Sequence, residues 1–95
     1  MESDKKFAVD AMLGKLARWL RILGYDTTYR QEIADDELVR NALDEGRIIL
    51  TRDTLLVKRL PPGSFLFIVD DVPADQLRQA VHELGLAVEE ARLLS

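Results

Sequence analysis

The run Ile48-Ile49-Leu50-Thr51-Arg52-Asp53 is apolar for three residues and then turns polar, ending on a carboxylate. A short β-branched run of this kind reads as a buried strand, and the polar step marks its C-terminal end. The same grammar occurs earlier, where Phe7-Ala8-Val9 runs into Asp10. Open α/β sheets bind ligands in the crevice beyond the carboxyl ends of their strands. Two aspartates delivered to that edge can meet in space although they lie far apart in sequence.

Outward from these strands, the chain alternates. Met12 to Leu23 carries Leu13, Leu16, Ala17, Leu20 and Leu23 at helical spacing, with Lys15, Arg18 and Arg21 on the other side. Gly24 stands where a C-cap glycine belongs. Tyr25 to Tyr29 reads as a second strand. Asp35-Asp36-Glu37 opens a second helix, with Asp35 as N-cap, Leu38, Ala42 and Leu43 facing inward, and Gly46 ending it. Arg47 to Leu50 is the third strand, and Thr54 to Leu60 holds a short helical turn before Pro61-Pro62-Gly63. Ser64 to Val69 is a fourth strand, apolar from Phe65 onward and expected to be buried on both faces. Pro73 suits the first turn of a last helix that carries Leu77, Val81 and Leu84 to Gly85. The final ten residues read equally as strand or helix. The order β-α-β-α-β-turn-β-α predicts a mainly parallel sheet of about four strands with helices on both faces.

Ninety-five residues make one domain, and 47% hydrophobic residues supply its core. No apolar run approaches the roughly 18 to 20 residues that span a bilayer. No signal peptide is evident, and the expected home is cytoplasmic. Without cysteine there is no disulfide or cysteine-based zinc centre. The formal charge of −4 argues against a generic polyanion-binding surface, but its distribution is uneven. Residues 11–25 hold no acid, whereas Lys15, Arg18 and Arg21 all lie there.

Asp10, the Asp35-Asp36 pair and Asp53 all fall at element boundaries that can border one sheet edge. Hard cations such as Mg²⁺ and Mn²⁺ take carboxylate oxygens and water. Such ions activate water and stabilise the leaving oxygen of a phosphodiester. Thr51 and Arg52 flank the site, and Arg52 suits a phosphate. Each acid also has a plainer reading as a turn or helix cap. The basic face of residues 12–23 is most simply a solvated face, although its lack of balancing acids favours phosphate contacts. Trp19 suits either base stacking or packing at the core's edge. His82 is the one histidine and reads as a surface residue, which disfavours a histidine triad or zinc centre. Met12-Leu13-Gly14-Lys15 lacks P-loop spacing.

The run from Asp10 through Ala11-Met12-Leu13-Gly14-Lys15-Leu16-Ala17-Arg18-Trp19-Leu20-Arg21-Ile22-Leu23-Gly24-Tyr25-Asp26 to Thr27 resembles the opening signature of the Mut-seven C-terminal RNase domain family. That family belongs to the PIN-like nuclease group. Asp35-Asp36-Glu37-Leu38, then Ala42, then Glu45 through Asp53 also look like its pattern. The likeness spans roughly residues 7–84 and is weaker after Leu60. It implies a PIN-like three-layer α/β/α sandwich and a metal-dependent ribonuclease. Carried over by position, Asp10, Asp35 and Asp53 would be catalytic acids holding Mg²⁺ or Mn²⁺. Asp36 would be a further metal ligand or a substitute for Asp35, and Asp70 or Asp71 a conceivable fourth acid. Lys15, Arg18, Arg21, Thr51 and Arg52 would position RNA. Members of that family commonly continue into a cysteine-rich zinc ribbon, and no such ribbon lies within these 95 residues. Two other readings compete: a non-catalytic RNA-binding or protein-interaction module on this fold, and a receiver-like phospho-acceptor domain. The latter needs a lysine after a later strand, and none follows Lys58.

Overall fold

The computed structural model describes residues 5–86. Four strands, β1 (Lys6–Val9), β2 (Asp26–Tyr29), β3 (Ile48–Thr51) and β4 (Phe65–Phe67), form one sheet in the order β2-β1-β3-β4, all parallel. The helices are α1 (Gly14–Ile22), α2 (Asp35–Glu45), the short α3 (Thr54–Val57) and α4 (Pro73–Leu84). A 3-10 turn, Ala11–Leu13, leads into α1. The expectation for the final ten residues lies outside the described residues, apart from the buried Leu86.

Right-handed crossovers place the layers. The chain steps from β1 outward to β2, then back across β1 to β3 and on to β4. A reversal of direction sends α1 to one face and α2 and α3 to the other. The period of two along each strand then divides the core. Phe7, Val9 and Leu50 pack with Leu13, Leu16, Leu20, Leu77 and Ala80 on the α1–α4 side. Ala8 and Ile49 pack with Leu38, Ala42, Leu56 and Leu60 on the α2–α3 side. Residues such as Phe7 and Leu50 are fully buried, each worth about 1.5–3 kcal/mol of transfer free energy. The result is a three-layer α/β/α sandwich.

Four local expectations need correction. Ala34, not Asp35, is the N-cap of α2, and it makes no side-chain cap bond. Asp35, Asp36 and Glu37 instead fill the first helical turn, where they still complement the dipole. Leu43 is half exposed because it lies about 140° round the helix from Leu38; half-buried Val39 packs there instead. Phe65, Leu66 and Phe67 are only half buried, since β4 is the outermost described strand on its side. The continuous apolar run reflects packing on both faces, Leu66 toward α1–α4 and Phe65 toward α2–α3, at an edge that leaves each residue half exposed. Last, α1 begins at Gly14 after the 3-10 turn, and Leu23 is its C-cap, with Gly24 following at φ 98°. Gly46 and Gly85 do hold the left-handed cap conformation.

The N-terminal edge of the sheet is closed by Arg47. Its Nη1 donates to the Asp26 carbonyl at 3.1 Å and to the Asp26 carboxylate at 2.9 Å, and its Nε to Glu45 at 2.6 Å. Burial works against its charge, but the bonds to Glu45 and Asp26 outweigh this and hold the guanidinium pKa above its ordinary value.

Candidate active site

The order β2-β1-β3-β4 reverses direction between β1 and β3, so the crevice between their C-terminal ends is the topological switch point. Asp10 follows β1 there and Thr51 ends β3. The Asp10 N–H donates to the Leu50 carbonyl at 3.0 Å, and its carbonyl accepts from the Leu13 N–H at 2.9 Å. Tyr29 donates its hydroxyl to the Ala11 carbonyl at 2.7 Å. Gly14 permits that approach, because a Cβ there would stand 3.0 Å from the Tyr29 oxygen. The backbone carrying Asp10 is therefore held on both sides.

Thr51 links the Asp10 carboxylate to the backbone of Asp53. Its hydroxyl, fully buried, donates to Asp10 Oδ2 at 2.7 Å and accepts from the Asp53 N–H at 3.0 Å. Asp53 caps α3, and its Oδ1 accepts from the Leu55 and Leu56 N–H groups at 2.9 and 3.2 Å. Each carboxylate thus has one oxygen fixed by neutral donors. Neither is ion-paired among the described residues.

The remaining expected residues are placed as follows. Asp35 is exposed at the start of α2, and Asp36 pairs with Arg59 at 2.9 Å. Among the described residues, no three acids or histidines gather closely enough to share an ion, so Asp35 and Asp36 do not complete a trio with Asp10 and Asp53. Lys15 and Arg18 are exposed on the first two turns of α1. Arg21 lies about 9 Å further along the helix axis than Lys15. Its Nε donates to the Thr27 carbonyl at 3.0 Å, which ties α1 to β2 away from Asp10. Arg52 donates to the Ile68 and Val69 carbonyls, both at 3.3 Å, and so anchors the end of β4. Asp70 and Asp71 are exposed after β4, with the Asp70 carbonyl held by buried Gln76 at 3.0 Å. Trp19 packs at the margin of the core, and His82 is exposed.

Sequence reasoning missed Tyr29, Gly14 and the Gln76 clamp. Gly14 stands directly before Lys15 in the sequence, and its partner Tyr29 was not identifiable without the fold.

A pair of carboxylates with free oxygens suits Mg²⁺, which takes one or two protein carboxylates and fills its octahedron with water and substrate phosphate. A caged Ca²⁺ or structural Zn²⁺ would need more ligands. Among the described residues, no helix is long and apolar enough to cross a membrane. No curated protein and no solved structure matches the chain significantly. The profile of the Mut7-C RNAse domain matches residues 5–95, nearly the whole chain. An α/β sandwich with paired acids at its switch point agrees with that match, and the chain belongs to the Mut7-C RNAse domain family.

Proposed function

We propose that this protein is a metal-dependent ribonuclease that hydrolyses RNA phosphodiester bonds at the Asp10–Thr51–Asp53 edge, acting in the cytoplasm. The observation that carries the reading is the Thr51 hydroxyl at the switch point, bonded to the Asp10 carboxylate and to the Asp53 backbone N–H, in a chain of an RNase family. Asp10 and Asp53 would hold Mg²⁺ or Mn²⁺. A bound ion of this kind supplies an activated water and neutralises charge on the phosphate. Thr51 keeps Asp10 in one rotamer with its second oxygen open. Lys15 and Arg18, exposed on the helix that leaves this edge, would attract the RNA backbone.

The test is cleavage of single-stranded RNA with Mn²⁺, with EDTA, and by Asp10→Asn and Asp53→Asn. Cleavage that needs the ion and falls at least about 100-fold in Asp10→Asn supports the reading. Cleavage indifferent to both changes refutes it.

The presence of two rather than three gathered acids favours one second reading, an RNA-binding module without catalysis. It predicts RNA binding that depends on Arg18 and is indifferent to Asp53.

A further inference from the structure

A second concavity opens beside the proposed site. Because α2 covers β1 and β3, the outer strand β2 is left uncovered on the α2 side, and a cleft of about 220 Å³ lies between β2 and α2. Its upper end is formed by Val9 and Tyr29, the residue before Asp10 and the residue whose hydroxyl holds Ala11. The cleft therefore ends at the residue that precedes Asp10. Its walls are mixed. Ala8, Ile33 and Leu38 make an apolar surface, Thr28, Arg30 and Asn41 add polar groups, and Glu45 lines it too, its charge answered by Arg47.

Two of these groups have the chemistry of base recognition. Asn41 is exposed in the middle of α2, and its amide makes no hydrogen bond among the described residues. An amide offers a donor and an acceptor side by side, which matches the edge of a base. Arg30 lines the cleft and pairs with Glu37 at 3.0 Å, leaving its guanidinium face exposed. Unpaired RNA bases stack on arginine planes and are read along their Watson–Crick edges. The volume falls below the roughly 300 Å³ of a drug-sized ligand site, which suits one flat ring system.

We propose that this cleft binds one unpaired nucleobase of an RNA strand whose backbone runs past the Asp10 edge, with Asn41 reading its edge and Arg30 covering its face. This rests on the ribonuclease reading of the neighbouring edge. It makes β2–α2 the region that sets base preference.

The test reads binding directly, without cleavage. The ¹⁵N-labelled full chain is titrated with each of the four nucleoside 5′-monophosphates and, separately, with inorganic phosphate, in EDTA. At least one nucleotide is expected to shift the amides of Thr28, Arg30, Ile33 and Asn41, while phosphate leaves them unmoved. Asn41→Ala is expected to weaken that nucleotide about tenfold with an unchanged spectrum elsewhere. Equal shifts with phosphate alone, no shifts in this set, or an Asn41→Ala chain that binds as tightly as the parent would overturn the proposal. Capture of a peptide or protein there, with no response to any nucleotide, would overturn it too. A parent chain that binds nucleotides here yet does not cleave RNA would leave the base site standing and remove the nuclease reading.

Discussion

The two ends of this parallel sheet handle charge in opposite ways. At the N-terminal end, Arg47 is nearly buried and faces two carboxylates and two strand carbonyls, so the charges there answer one another. At the C-terminal end, Asp10 and Asp53 are oriented by a hydroxyl and by backbone N–H groups, with no cation among the described residues to balance them. Arg52, the nearest arginine in sequence, binds the end of β4 instead. A fold that only needed to be stable would be expected to neutralise both ends. One end is closed by its own ion pairs, and the other carries carboxylates oriented by neutral donors, which is the arrangement the proposed metal site would use.

The largest effect expected from breaking this contrast is at Thr51. Thr51→Val removes the hydroxyl that orients Asp10 and accepts from Asp53, and RNA cleavage should fall about 10- to 100-fold, as for residues that support metal ligands. Thr51→Ser should restore most of it, which a merely space-filling role for Thr51 would not explain. Arg47→Met at the closed end should act in the opposite manner. It should lower unfolding free energy by about 2 kcal/mol, seen as a lower denaturant midpoint, while cleavage per folded molecule stays unchanged. If cleavage falls in proportion, the two ends are coupled and the division fails.

Smaller effects sharpen the open end. Gly14→Ala pushes a methyl group against the Tyr29 hydroxyl and should cost about 1 kcal/mol by urea denaturation. Because Tyr29 holds the Ala11 carbonyl, a lower kcat than that loss accounts for would show that the Asp10 turn has shifted. Smallest are Lys15→Ala and Arg18→Ala. Each should reduce the slope of log binding against log salt for single-stranded RNA by about 0.7, with little change in stability. Arg21→Ala should leave that slope nearly unaltered and instead loosen α1 from β2.

Much of this architecture is legible in the residues. Runs such as Phe7-Ala8-Val9 and Ile48-Ile49-Leu50, each followed by a polar turn and an amphipathic helix, announce a parallel sheet with strand-end acids. The strand order is less legible, since it depends on which way each crossover turns. Leu43 misleads because hydropathy alone does not fix the helix face when Val39 competes for it. The acids at strand ends were identifiable from the step between apolar and polar residues. The roles of Thr51 as bridge and Arg47 as clamp were not, because both depend on partners 21 to 41 residues away.

Mn²⁺ added to the ¹⁵N-labelled chain tests the central claim most directly, since the paramagnetic ion broadens amides near where it binds. The account predicts that substoichiometric Mn²⁺ first erases the signals of Asp10, Ala11, Thr51 and Asp53, and that Asp10→Asn abolishes this. Broadening that begins at Asp26 and Glu45, or spreads evenly over the surface acids, would contradict it.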